Sequence, residues 1–294
     1  MRKQKEAKKT KDEQKDILSN FLLGVKFRET LTSILNNKSY LFLPGIFDIL
    51  LLSFYGFISR NIWVRILEHV QAIAFVAQNK PSEISKNIPT EGIIGAFAGD
   101  ATAYYLRNFL LLLLILTIIT YFLYCLFQSI AWYFAKNQDI KKTVFYKYLL
   151  QFFRINILWF ILFLIYYSIN VIYGYTAQRA SRFNQATNAS LVFWSLIIFL
   201  TLIAYFAFIS YGLIGNYRDR VIYKRALILG IRKVHTLMPM FLIIIGVFIT
   251  INYLLKFAAL ANEWIAIIFG FILTMPALAF TRLYLIKVIE GVDK

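Results

Sequence analysis

Six long apolar stretches, separated by polar segments, dominate the pattern of this chain. They cover residues 41–59, 108–130, 155–175, 191–213, 237–257 and 264–286. A helix needs about 20 apolar residues to cross the roughly 30 Å hydrocarbon layer of a bilayer, and backbone groups in lipid must be hydrogen-bonded within the segment. The pattern therefore predicts an all-α integral membrane protein with six transmembrane helices.

Shorter amphipathic segments precede the first, third and fifth apolar stretches. They begin near Phe27, Val144 and Ile222, and a shift of 195 residues aligns Pro44 with Pro239. Each segment has apolar residues at helical spacing and basic residues on the opposite face, which is typical of a helix lying in the membrane interface. We therefore expect three repeats, each made of an interfacial helix and a pair of spans.

The positive charge lies mainly on one side of the six spans. Of the 32 Lys and Arg residues, 24 fall in the N-terminal segment, the second and fourth connections and the C-terminal end. The positive-inside rule then predicts a plasma-membrane protein with both termini in the cytoplasm. Residues 1–24 are expected to be a basic, disordered cytoplasmic tail, and residues 25–294 a single six-span domain.

The net charge of +17 is spread over loops that face one leaflet. Attraction to anionic lipid headgroups accounts for this distribution, so we expect membrane lipids as partners and no nucleic acid. A protein partner or a homo-oligomer stays open.

The segment 60–104 is the longest part predicted to lie outside the membrane. Apolar residues at helical spacing predict a helix over 61–78, on the outer leaflet or across the bundle, ended by Lys80-Pro81. Beyond it, Gly95 and Gly99 have the spacing that lets helices approach closely, although a flexible apolar hinge has the same composition. The segment either caps the bundle or binds a ligand or partner.

Residues suited to catalysis or metal binding are few. Cys125 is the single cysteine, and His69 and His235 are predicted on opposite sides of the membrane. Nucleophile–base pairs and metal sites need such groups close together, so no catalytic residue, cofactor or metal is expected.

Asp48 is the one acidic residue inside a predicted span. A charge at the bilayer centre costs about 2.5–3.5 kcal/mol on insertion scales, so we expect Asp48 to be protonated, to cap a broken helix turn, to pair with a cation, or to mark a proton or solute path. Arg282, near the end of the sixth span, is the predicted partner. Gln128, Asn170 and Asn252 are further intramembrane polar residues that join helices or line a pathway.

The opening Phe27-Arg-Glu-Thr-Leu, followed by Lys38 and Leu43-Pro44, and the later segment Ala226-Leu-Ile-Leu-Gly-Ile-Arg-Lys-Val resemble a broad group of uncharacterised prokaryotic, often archaeal, multi-pass membrane proteins. That group is similar to the membrane domain fused to some glycerophosphoryl diester phosphodiesterases. The resemblance covers residues from about 25 to the end. It implies the membrane architecture and no catalytic residue, because no motif of the phosphodiesterase barrel occurs in this chain.

Two functions follow as alternatives. The first is a non-catalytic membrane scaffold, assembly or interaction protein, and the second is a small-solute or lipid transporter or permease with Asp48 near the pathway. Polar residues along the spans are sparse, which favours the first, since a solute path needs several of them. A water-filled cavity at Asp48 favours transport, whereas a dry bundle with an exposed apolar groove favours an interaction role.

Overall fold

The computed structural model describes residues 22–79, 100–136, 142–182 and 189–293. These ranges contain eight helices and no strand; the single β-bridge joins Ile214 to Tyr217. The helices are α1 (22–36), α2 (Ser39–Asn79), α3 (Asp100–Lys136), α4 (Lys142–Arg182), α5 (Ala189–Leu213), α6 (Asp219–Arg232), α7 (Val234–Ala261) and α8 (Glu263–Val292).

Six of these helices, α2, α3, α4, α5, α7 and α8, are long and apolar enough to cross a membrane. Each of them contains one of the predicted apolar stretches. The third and fourth stretches extend a few residues beyond the apolar regions of α4 and α5, and the others lie wholly inside theirs. The predicted class, an all-α membrane protein with six spanning helices, is confirmed.

Two of the three predicted interfacial helices are separate elements. They are α1 and α6, and the helices that follow them start at residues 39 and 234, which are related by the same shift of 195. The side chain of Asn37 accepts a hydrogen bond from the Ser39 amide at 2.9 Å and so starts α2 after the break. The middle segment, 144–154, is instead continuous with the span in α4, because no break or proline interrupts the helix there.

Two boundaries differ from the prediction. The segment 61–78 is helical, but it continues α2 rather than forming a separate helix, because residues 59–61 contain neither Gly nor Pro to end it. Residues 22–24, expected in the tail, belong to α1, where Leu23 is buried. The rest of the tail and the Gly95–Gly99 segment lie outside the described residues.

The chain divides into two compact units, Ile49–Tyr124 and the remainder. The first unit contains the later part of α2 and the earlier part of α3. Ile66 and Leu116 are buried in it, and the rings of His69 and Tyr105 lie 5.9 Å apart. Most of its other large apolar side chains are exposed, as expected of helices surrounded by lipid.

The second unit contains the candidate site, and its core lies toward one end. There the end of α3, the start of α4, the α5–α6 connection and the end of α8 meet. Lys136 donates to the Ile214 carbonyl at 2.9 Å, and Tyr217 donates to the Asp293 carboxylate at 2.7 Å. We call this end of the unit the basic end, since Lys136, Lys147, Arg154, Arg218 and Arg220 all lie there.

Candidate functional site

The second unit holds a buried cluster of three polar side chains from three spanning helices. Asp48 comes from α2, Gln128 from α3 and Arg282 from α8. Arg282 Nη1 and Nη2 each donate to a different oxygen of Asp48 at 2.7 Å, which is a bidentate pair. The contact between Asp48 and Arg282 expected from the sequence is therefore present.

Gln128 closes the cluster by bonding to both charged partners. Its Nε2 donates to Asp48 Oδ1 at 2.9 Å, and its Oε1 accepts from Arg282 Nη2 at 2.8 Å. The side chains of Arg282 and Asp48 are only 6% and 4% exposed. Two opposite charges and one amide thus neutralise and hydrogen-bond one another in a water-poor environment.

The position of the three residues along their helices explains why they meet. Each lies about 12–15 Å from the end of its helix at the basic end, at 1.5 Å per residue. An unpaired charge or amide at such depth is costly in lipid and in a protein core. Mutual pairing avoids that cost, and it joins α2, α3 and α8.

Asn170 and Asn252 do not join this cluster. Both are exposed, and neither side chain hydrogen-bonds to another described residue. In helices that are apolar on all sides, the hydrophobic pattern does not indicate which face meets the protein and which meets lipid. The sequence therefore could not show that the side chains of Asn170 and Asn252 are exposed rather than packed against other helices.

The second unit also contains an apolar groove of about 300 Å³. We call it the α1–α8 groove; α1 supplies Phe27, Leu31 and Ile34, and α8 supplies Pro276, Phe280 and Thr281, with further residues from α2 and α7. The rings of Phe27 and Phe280 contact edge to face at 5.2 Å. Phe27 and Leu31 are nearly half exposed, so the groove opens to the surroundings of the bundle.

A hydrogen-bond network at the basic end goes beyond what the sequence pattern predicts. Lys136 donates to the Ile214 carbonyl and to Asn216 Oδ1, both at 2.9 Å. Gln151 Nε2 donates to the Tyr217 carbonyl at 2.6 Å, and Gln151 Oε1 accepts from the Gly215 amide at 3.1 Å. The turn between α5 and α6, in which Gly215 adopts the left-handed φ of 86°, is held in place by these contacts.

The C-terminal end is tied to α6 by a second group of contacts. Asp293 accepts from the Arg225 guanidinium at 2.8 Å and from the Tyr217 hydroxyl, while Arg225 also bonds to that hydroxyl and stacks on its ring at 4.0 Å. The hydrogen bond to Asp293 raises the pKa of the Tyr217 phenol above its usual value; burial and the Asp293 charge act in the same direction, and Arg225 opposes them.

The sequence pattern could have predicted only some of these contacts. Lys136 and Gln151 both lie in the predicted connection 136–154, where the sequence indicates only that Lys136 contributes to the orientation and nothing about Gln151. A further buried pair, Asn156 and Tyr211, joins α4 to α5 by a side-chain hydrogen bond. Asn156 is a polar residue within an apolar run, which is the signal that could have indicated it.

Comparisons with known proteins add no relative to this picture. A scan against protein-family models, a search of curated proteins and a search of solved structures each found no match. The conclusion therefore rests on the residues of this chain alone: it is a multi-pass α-helical membrane protein whose second unit contains a closed polar cluster and an apolar groove.

Proposed function

We propose that this chain is a non-catalytic membrane scaffold or interaction protein that acts through contacts with lipids and other proteins. One observation supports this most: the charge of Asp48 is taken up by Arg282 and Gln128 in a cluster that is almost fully buried. A residue that relays protons or binds solutes must meet water or its ligand during the cycle. In this arrangement the three groups bond to each other instead.

The α1–α8 groove is the surface at which the proposed contacts with lipids would form. It is lined by α1 and by three spanning helices, and its lining is almost entirely apolar, so lipid acyl chains are its expected occupant. The proposal also includes a cytoplasmic orientation of the basic end, which agrees with the concentration of Lys and Arg there. The resemblance to the group of prokaryotic membrane proteins is part of the same proposal.

A small-solute or lipid permease is the alternative, and the prolines favour it. Pro44, Pro239 and Pro276 all lie inside spanning helices. Each removes a backbone hydrogen bond, and interrupted helices often surround the substrate sites of transporters. The two functions differ in whether water reaches the polar cluster.

The single cysteine allows a direct test. Cys125 is fully buried and lies one helical turn before Gln128 in α3. In membrane vesicles of either orientation, we expect a charged, membrane-impermeant thiol reagent to leave Cys125 unmodified in the folded protein and to modify it after denaturation. Labelling from either side without denaturation would contradict the proposal and favour the permease.

A second thiol provides the matched control. Ser39 is exposed at the start of α2, and a Ser39→Cys variant should react. With the proposed orientation, it reacts in inverted vesicles and is protected in intact cells. Labelling of Ser39→Cys in intact cells would mean that the orientation is opposite to the proposed one. The conclusion drawn from Cys125 would not change, because that test uses vesicles of both orientations.

A further inference from the structure

A cavity at the basic end contains more positive charge than the protein itself neutralises. It has a volume of about 670 Å³ and lies between the start of α4 and the start of α6. Four cationic side chains line it, against a single carboxylate. The cations are Lys147, Arg154, Arg218 and Arg220, and the carboxylate is Asp219. We call this the basic cavity.

Asp219 is already engaged within the protein. Its Oδ2 accepts from Arg154 Nη1 at 3.1 Å, and its Oδ1 accepts from Gln151 Nε2 at 3.0 Å. Lys147, Arg218 and Arg220 are exposed, and they form no ion pair with any described residue. The cavity therefore has a surplus of about three positive charges available to an anion.

Two helices hold the basic cavity in shape. Lys147, Gln151 and Arg154 are spaced by four and three residues, so they share one face of α4. The Tyr223 hydroxyl of α6 donates to the Arg154 carbonyl at 3.0 Å. Because Gln151 also bonds to the turn before α6, the cations on both helices have fixed backbones. A site held in this way loses less entropy on binding than one on a mobile loop.

The start of α6 adds a second source of positive potential. Arg218 precedes the first turn and its side chain does not cap the helix. The first amide groups of a helix lack intrahelical acceptors, and the helix dipole is positive there. Anionic groups with several oxygens, above all phosphates, match amides and Arg side chains together.

We propose that the basic cavity binds the phosphate group of an anionic phospholipid. The lipid source follows from the location: the cavity lies at the ends of two spanning helices, and the apolar side chains of Leu150 and Val221 are part of its lining. Basic pockets between spanning helices at the membrane surface bind such headgroups. The proposal stands independently of a scaffold or permease role.

The test uses the full chain in detergent and counts bound lipid by native mass spectrometry. Phosphatidylglycerol is compared with phosphatidylcholine. In the double variant Arg218→Gln/Arg220→Gln we expect phosphatidylglycerol binding to weaken about thirtyfold, since each basic residue near the membrane surface contributes about 1 kcal/mol. Lys147→Gln on α4 should weaken it by about fivefold, and phosphatidylcholine binding should change little in both.

The control removes the same amount of charge at the opposite end of α6, from its last residue and the residue that follows it. Arg232 and Lys233 are exposed and do not line the basic cavity, so Arg232→Gln/Lys233→Gln should retain phosphatidylglycerol binding within about twofold. Equal loss in both double variants, or no loss in the first, would overturn the proposal. Unchanged thermal unfolding in detergent confirms that the variants are folded.

Competition with soluble phosphate compounds distinguishes the source of the ligand. Inorganic phosphate and glycerol phosphate should displace phosphatidylglycerol poorly, because they lack the chains that contact the apolar part of the cavity. If these soluble compounds displaced phosphatidylglycerol at concentrations similar to its own, the cavity would still be a phosphate site formed by the cations. The assignment of the ligand to a lipid would be overturned.

Discussion

The last two helices, α7 and α8, have two different environments along their length. In α7 the buried residues lie between Thr236 and Ile244, and in α8 between Met275 and Ile289. Both sets are in the half of the hairpin at the basic end. In the other half, Leu260 is 84% exposed and Trp264 is 74% exposed. We call these the packed half and the exposed half.

The two halves are both strongly apolar, so hydrophobicity does not distinguish them. In lipid, an apolar side chain gains little by moving from acyl chains to protein, and helices associate through close packing and polar contacts instead. The packed half has those features, including Arg282 and the buried Thr281. Polar pairs and close backbone approach therefore decide where this protein packs.

The largest expected effect comes from breaking the buried ion pair of the packed half. Replacing Arg282 with Gln leaves the Asp48 carboxylate buried without its cation, which should lower the free energy of unfolding by about 3–5 kcal/mol. The measurement is thermal or denaturant unfolding of the purified protein in detergent. The double variant Asp48→Asn/Arg282→Gln should be more stable than the sum of the single losses implies.

An exposed pair of the same chemistry is the control for this prediction. Arg154 and Asp219 form an ion pair whose side chains are 63% and 30% exposed. Arg154→Gln should cost about 1 kcal/mol or less, because water screens the pair. Additive effects of the Asp48 and Arg282 substitutions, or equal losses at Arg282 and Arg154, would mean that burial does not decide the strength of these pairs.

A glycine gives the second prediction. A Cβ at Gly230 in α6 would lie 2.5 Å from Phe206 Cε1, and the Gly230 carbonyl accepts from the buried Tyr205 hydroxyl. Gly230→Ala should therefore destabilise the protein by about 1–3 kcal/mol through overpacking.

A Cβ at Gly246 in α7 would have no neighbour within 4 Å, so Gly246→Ala should be neutral or stabilising by up to about 1 kcal/mol. Equal changes in the free energy of unfolding for Gly230→Ala and Gly246→Ala would contradict the prediction that packed and open positions respond differently.

The architecture and the central ion pair are accessible from the sequence for one physical reason. A bilayer requires long apolar helices, and it penalises an unpaired charge so strongly that Asp48 must find a cation. Arg282 is the candidate at matching depth. The third partner, Gln128, stands out in the sequence only as one of several polar residues, because depth along a helix can be read from sequence but facing cannot.

The rest depends on packing that the pattern does not encode. The middle amphipathic segment, 144–154, resembles the start of α1 and α6, yet it continues into α4. Amphipathic periodicity is the same in a separate helix and in an extension of a span. The role of Gln151 arises from a turn 64 residues later in the chain, which local sequence does not show.

The smallest effect is expected at the tip of the exposed half. Asn262 lies between α7 and α8, and its side chain accepts from the Trp264 amide at 2.8 Å, which caps the start of α8. Asn262→Ala should cost about 1 kcal/mol or less, since a lost cap costs about 0.5–2 kcal/mol and the surrounding residues have few protein contacts. Asn262→Asp keeps an acceptor oxygen and should retain the cap. Unfolding in detergent measures the global effect, and hydrogen exchange at the Trp264 amide measures the local one. A global loss as large as that of Gly230→Ala would place the tip in the same cooperative unit as the packed position in α6.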